Sequence, residues 1–241
     1  MRSLSILVGI MLFIVPPEKK RVMLSTEQLI TTAAGEMEGA AMPATFLALG
    51  DSYTIGESVA EGDRFPVQAV KMLNEQGFNF SVPEIIARTG WTTHDLLNAI
   101  NNKPLHNPFT VVSLLIGVNN QYQGGSLEVY RQEFKQLLEK AILLANHQPQ
   151  HVFVLSIPDY SVTPFASHLN QAAIAAEIDR FNEENHILSE AYKVHYINIT
   201  DASRMVRVQP HLLASDGLHY AGAAYFTWAS LLVQEIKKTL P

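Results

Sequence analysis

From Ala44 onward, short apolar runs alternate with longer segments of helical periodicity, and no other feature narrows the fold as far. Five runs read as strands: Thr45–Leu49, Val82–Arg88 (interrupted early by Pro83), Thr110–Ile116, His151–Ile157 and Val194–Ile199. Thr110–Ile116 is β-rich and apolar on both faces, as a central parallel strand must be. Between the strands, Asp63, Arg64 and Pro66 form a helix start, and Gly77 stops that helix after about Gln76. Thr92 or Thr93 caps a short helix through about Asn101. Tyr130, Phe134, Leu137, Leu138, Ala141 and Leu144 recur at helical spacing over Ser126–Asn146. Leu169–Lys193 and Ala221–Lys238 complete the set, the last with Tyr225, Trp228, Leu232 and Ile236 on one stripe. Such alternation predicts an α/β domain: one five-stranded parallel sheet covered by helices on both faces, a three-layer α/β/α sandwich.

The 241 residues are 47% hydrophobic and 17% charged, a globular balance that excludes intrinsic disorder. A formal charge of −6 argues against nucleic acid or an anionic membrane surface as the main partner, because those binders concentrate basic residues on one face. Cysteine is absent, which removes disulfides, thiolate metal sites and a Cys nucleophile.

In an open α/β sheet, ligands bind outside the carboxyl ends of the strands. There the sequence places Gly50-Asp51-Ser52-Tyr53 after the first strand, Arg88-Thr89-Gly90-Trp91 after the second and Gly117-Val118-Asn119-Asn120 after the third. Ser215-Asp216-Gly217-Leu218-His219 lies between the fifth strand and the last helix. These are the groups acyl transfer uses: a hydroxyl that needs a base and an orienting group, and donors for an emerging oxyanion. Asp216 and His219 are close enough for one short loop to set a carboxylate against Nδ1, leaving Nε2 to face Ser52. Gly90 lets its backbone approach a substrate without an intervening Cβ.

In these four blocks, GDSY at 50–53, Gly90, GVNN at 117–120 and DGLH at 216–219, the chain resembles the SGNH/GDSL-type hydrolases. That family comprises serine esterases, lipases, thioesterases and carbohydrate deacetylases on a flavodoxin-like sheet. The resemblance runs from about Thr45 to the C-terminus, and SIPDYSVTPF (156–165) resembles a stretch that lines the substrate cleft in some bacterial members. It implies Ser52 as nucleophile, His219 as general base and Asp216 as the group orienting the imidazole. The implied oxyanion donors are the backbone N–H groups of Ser52 and Gly90 and the side-chain amide of Asn119. It further implies a small-molecule ester as substrate, an acyl-serine intermediate, and neither cofactor nor metal. Activity is expected to fall below about pH 6.5, where an ordinary imidazole protonates.

Three positions depart from the family pattern. Tyr53 replaces the usual Leu, Asn120 stands where Asp is frequent, and Tyr220 follows the histidine where Pro is common. None removes a reacting group. Taken singly, each block has an ordinary reading: Ser52 a turn serine, Gly50 and Gly117 strand-end glycines, Asp216-Gly217 a turn, Asn119-Asn120 a helix-capping pair. His94, His106, His147, His151, His168, His186, His195 and His211 have no ligand spacing and read as surface or structural. Trp91 and Tyr160 border the cleft or pack beneath it. Segments 53–63, 120–126, 158–168 and 200–215 are the expected cleft walls.

Two rivals stand beside this reading. Gly50-x-Ser52-x-Thr54 is a near miss to the GxSxG nucleophile elbow, which needs glycine where Thr54 stands. A non-catalytic flavodoxin-like module binding a small molecule or carbohydrate would use the same sheet without pairing Asp216 and His219.

Residues 1–41 are expected to be separate from a hydrolase domain over 42–241. Leu4–Val15 is apolar and follows Arg2, but is shorter than the roughly 20 residues of a membrane span. Pro16, Pro17, Glu18, Lys19, Lys20 and Arg21 occupy the place of a cleavage site. A poor signal peptide, a short anchor over 4–15, or upstream sequence before a true start at Met23 or Met42 all remain open. Residues 24–41 read as a loose arm. Cytoplasmic residence is expected, with export or membrane anchoring as the alternative; the oligomeric state is not legible.

Overall fold

The computed structural model describes residues 42–105 and 108–240, so the expectations for residues 1–41 and for His106 lie outside the described residues. Five parallel strands form one sheet in the order β2-β1-β3-β4-β5: β1 (Phe46–Gly50), β2 (Glu84–Ala87), β3 (Val111–Leu115), β4 (Val152–Leu155) and β5 (His195–Ile197). Eight α-helices accompany them among the described residues. They are α1 (Ser52–Ile55), α2 (Phe65–Glu75), α3 (Thr93–Asn102), α4 (Val118–Tyr122), α5 (Leu127–Leu144), α6 (Gln171–Tyr192), α7 (Thr200–Arg204) and α8 (Gly222–Thr239).

Both faces of the sheet are covered, as the unbroken apolar character of β1, β3 and β4 requires; every residue of these three strands is buried. Helices α2 and α8 pack together on one side, while α5 contacts both α3 and α6 on the other. The stripe of α8 puts Tyr225, Trp228, Leu232 and Ile236 wholly inside. On the opposite side, Tyr130 buries its ring and satisfies its hydroxyl on the Ile116 carbonyl (3.2 Å) and the Asn185 side chain (2.6 Å).

The strand register positions the chemistry. Gly50, the last residue of β1, lies opposite Ala87 of β2 and Leu115 of β3. Parallel strands ending at one level release their following loops at one level, so the segments carrying Ser52, Gly90 and Asn119 leave the sheet side by side.

Some local expectations are corrected. Asp63 does not cap α2; it ends a 3₁₀ turn over Glu61–Asp63, and Arg64 occupies the N-cap without a side-chain bond. Pro66 does sit in the first turn. β2 begins only at Glu84 because Pro83 has no N–H for a ladder. Thr92 caps α3, in a reciprocal capping box with Asp95. Three short helices, α1, α4 and α7, went unforeseen because four or five residues are too few to show a period. Asn119 and Asn120 therefore lie inside α4 and do not cap it.

Candidate active site

At the end of β1 the chain turns sharply into α1. Asp51 is the N-cap, its Oδ1 accepting the Tyr53 amide at 3.0 Å, and Ser52 is the first helical residue, two positions beyond the strand. Gly50 makes this turn possible. A Cβ there would lie 2.0 Å from Thr54 Oγ1 and 2.4 Å from the Leu115 carbonyl oxygen. Asp51 is completely buried, Oδ2 has no hydrogen-bond partner, and burial pushes its carboxyl up to about 7, against the opposing pull of the Tyr53 amide.

Gly90 follows β2 at φ +82°, a conformation that L side chains rarely adopt. Among the described residues, no atom lies within 4 Å of a Cβ placed here. Within the free protein, glycine is therefore required by the backbone angle; the expected steric reason could apply only to a bound substrate. Asn119 Nδ2 donates to the Trp91 carbonyl at 2.9 Å. An amide nitrogen carries two hydrogens, so one bond fixes the side chain and leaves the second hydrogen for another acceptor. Asn120, which stands where Asp is frequent in the family, bonds to Thr93 through both side-chain atoms. Its Oδ1 accepts the Thr93 amide (3.0 Å) and its Nδ2 donates to Thr93 Oγ1 (2.7 Å), tying α4 to the start of α3.

Asp216 and His219 lie on a loop closed by an antiparallel bridge between Leu213 and Tyr220. Gly217 turns it at φ +72°. Asp216 Oδ1 accepts the amides of Leu218 and His219, both at 2.9 Å, while Oδ2 meets His219 Nδ1 at 2.6 Å. Partial burial works to raise the Asp216 carboxyl, but hydrogen bonds from Ser58, the Leu218 amide and His219 outweigh it and hold the group well below the usual carboxylate range. Tyr53 packs against the imidazole with ring centroids 5.5 Å apart and planes at 62°, so the Leu-to-Tyr departure serves packing beneath the His219 ring. Tyr220 is buried and donates to the Asp159 carbonyl at 3.0 Å.

Ser52, Gly90, Asn119 and His219 line one cavity of about 120 Å³. Asp216 stands behind His219 and is not in the wall. Neither Ser52 Oγ nor His219 Nε2 has a hydrogen-bond partner among the described residues, so the expected contact between them is not made in this structure. Catalytic hydrogen bonds of unliganded hydrolases are often long and tighten only with substrate. The remaining wall is mostly apolar. Tyr122, Tyr160 and Phe165 form a cluster with centroids 5.9–6.3 Å apart, which bears out Tyr160 and the 156–165 segment as cleft-forming. Trp91 contributes its carbonyl but is not in the wall, and no residue of 200–215 lines the cavity. Thr89, Val118 and Leu218, quoted in the sequence blocks without a role in the cleft, do line it. Their only signal was adjacency to Gly90, Asn119 and His219.

Among the described residues, no three His, Asp or Glu side chains gather to hold a metal, and no helix is long and apolar enough to cross a membrane. His94 and His186, read as lacking carboxylate partners of ligand spacing, form simple pairs with Glu133 and Glu190, both at 3.4 Å.

The profile of the GDSL-like lipase/acylhydrolase family matches residues 48–225, which span every block described above. The chain belongs to this family. It is accordingly a hydrolase acting on ester bonds of small molecules, which sets aside the non-catalytic binding module. No curated protein sequence matches the chain significantly. Solved structures share the fold at low identity. A lipase/acylhydrolase from Enterococcus faecalis is 20% identical with a TM-score of 0.64, covering 82% of this chain and 97% of its own. The esterase EstA from Pseudoalteromonas sp., in a structure inhibited by monoethylphosphonate, is 16% identical at TM-score 0.61, covering 80% and 97%. A single-site variant of Axe2, an acetyl xylan esterase from Geobacillus stearothermophilus, is 17% identical at TM-score 0.60, covering 83% and 98%.

Proposed function

We propose that this GDSL hydrolase cleaves carboxylic esters through an acyl-serine intermediate on Ser52. The observation that carries the reading is the 2.6 Å contact of Asp216 Oδ2 with His219 Nδ1, on a histidine that shares a cavity with Ser52. A carboxylate at Nδ1 fixes the tautomer with its proton there, leaving Nε2 unprotonated for use as a base. His219 takes the Ser52 proton as Oγ attacks the ester carbonyl. The resulting oxyanion is held by the amides of Ser52 and Gly90 and by the second Asn119 amide hydrogen. The protonated imidazole returns its proton to the leaving alcohol. Water, activated by the same nitrogen, then releases the acid and frees Ser52.

The apolar wall of Tyr122, Tyr160 and Phe165 favours an acyl group without charge. A volume of about 120 Å³ is small beside the roughly 300–1,000 Å³ of typical ligand clefts and favours a short one. Inhibition of the related EstA by a phosphonate is in keeping with a serine nucleophile in this fold. The test is labelling with a fluorophosphonate probe alongside hydrolysis of p-nitrophenyl esters of graded acyl length and of acetylated sugars. Wild-type protein should label and turn over short acyl esters, and Ser52→Ala should do neither while melting normally. Full activity in Ser52→Ala would refute the reading.

A further inference from the structure

The short turn after the Ser52 helix touches both other parts of the site. Gly56, in the left-handed conformation at φ +65°, and Glu57 each donate a backbone N–H to the Ser52 carbonyl, so the turn is anchored on the residue that begins α1. Ser58 follows at φ +66°, an uncommon angle for a residue with a Cβ. From there its hydroxyl donates to Asp216 Oδ2 at 2.7 Å, across 158 positions of sequence. The neighbouring Glu57 carboxylate accepts a hydrogen bond from the Thr89 hydroxyl, on the residue just before Gly90.

We propose that Glu57 and Ser58 are positioning residues: one turn fastened to Ser52 holds the Asp216 loop with one side chain and the Gly90 loop with the other. The inference rests on the active-site reading above and extends it to residues outside the four motif blocks. The geometry gives each a definite task. Asp216 Oδ2 receives both the His219 ring and the Ser58 hydroxyl, while Oδ1 receives two amides, so the carboxylate is held from four directions and cannot rotate away from the imidazole. Ser58 also shares the very oxygen that accepts from His219, so its loss alters the strength of the Asp216–His219 bond as well as its direction. Glu57 restrains the side chain next to Gly90, whose amide must point into the cavity. Backbone strain at an exposed residue persists where the surroundings hold it in place, and here two side-chain bonds and two backbone bonds do so.

The experiment compares Ser58→Ala, Ser58→Gly and Glu57→Ala with wild type, each checked by thermal melting. Steady-state kinetics are run on a short-chain p-nitrophenyl ester, and the low-field proton NMR signal of His219 Nδ1–H is followed. Ser58→Ala and Ser58→Gly should each lower kcat about ten- to hundredfold with KM nearly unchanged, since misplacement by an ångström can cost about two orders of magnitude. Both should shift or broaden the low-field signal. Glu57→Ala should lower kcat similarly and leave that signal in place, because it acts through the Gly90 loop. Wild-type kcat with an unmoved signal in both Ser58 variants would overturn the role of the hydroxyl, as would wild-type kcat in Ser58→Gly alone, which retains the turn without it. Wild-type kcat in Glu57→Ala would overturn the role of Glu57. Ser52→Ala and Asp216→Asn serve as controls for the underlying reading: hydrolysis by the first, or an unchanged low-field signal in the second, would bring down the active-site assignment itself.

Discussion

Asp216 grips His219 twice: one carboxylate oxygen accepts the histidine's own backbone amide at 2.9 Å, the other meets its ring Nδ1 at 2.6 Å. The residue that orients the ring therefore also sets the path of the chain that carries it. Replacing the carboxylate with an amide keeps the shape but puts a donor against a donor, favouring the wrong tautomer. Asp216→Asn is expected to lower kcat by about 10⁴, the order seen when the acid of a serine triad becomes Asn. Stopped-assay kinetics on a p-nitrophenyl ester check this, and a loss below tenfold would contradict the orienting role.

Asn119 presents a mixed case, because one amide hydrogen is committed to the Trp91 carbonyl. Asn119→Ala should reduce kcat by roughly 10²–10³ through loss of an oxyanion donor. It should also cost about 1 kcal/mol of stability through the lost bond to Trp91. Paired kinetic and urea-denaturation measurements separate the two effects. A stability loss with intact turnover would make Asn119 purely structural.

Two glycines with different surroundings should fail in different ways. At Gly50 a methyl group collides with Thr54 and the Leu115 carbonyl, so Gly50→Ala should destabilise the fold by about 1–3 kcal/mol or more. At Gly90 the methyl meets no atom of the described residues, but φ +82° disfavours it by about 1–2 kcal/mol. If the loop relaxes, its amide turns away from the cavity. Gly90→Ala should thus melt a few degrees below wild type while losing most of its kcat. Calorimetry and kinetics on the same preparations decide.

Asp51 gives stability an unusual pH dependence. Its folded value, pushed up to about 7 by burial, lies above the ordinary carboxylate value of 3.8, so the folded state binds the proton more tightly than the unfolded one. The contribution from this group is present in full below about pH 4 and is lost as pH rises through about 7. Asp51→Asn retains an acceptor for the Tyr53 amide and removes the titration. Urea denaturation at several values between pH 4 and 8 should show a flatter dependence in the variant than in wild type. Parallel curves would mean that Asp51 ionises as easily folded as unfolded.

The aromatic cluster should govern acyl preference. Tyr122 is more than half exposed and forms the outer part of the apolar wall, so its removal leaves the core intact. Tyr122→Ala should raise KM severalfold for butyryl and longer esters, each unburied methylene costing about 0.8 kcal/mol, with less effect on acetyl esters. A uniform change across the acyl series would show that the ring contacts another part of the substrate.

The order of strands and helices was legible because each long element carries its own period, and parallel alternation leaves few topologies. Ser52, Gly90, Asn119, Asp216 and His219 were legible for a related reason: each sits where a strand or the last loop meets the open edge of the sheet, within a local block of recognisable residues. Ser58 and Glu57 had no such mark. Their partners lie far away in sequence, and a hydrogen bond across 158 positions leaves no trace in local composition. Likewise, residues 200–215 looked like a cleft wall by their place before the histidine. In the fold α7 and the turns that follow it contribute nothing to the cavity lining, whereas Thr89 and Leu218, which only flank Gly90 and His219 in their blocks, line it.

The Tyr53 ring that supports His219 also abuts Trp228 on α8, with centroids 6.2 Å apart, and both rings are almost wholly buried. The imidazole is thus seated on the interior of the molecule on one side, with the cavity on the other. Movement toward Tyr53 would require a gap among close-packed rings, so any displacement of the imidazole is confined to the cavity side.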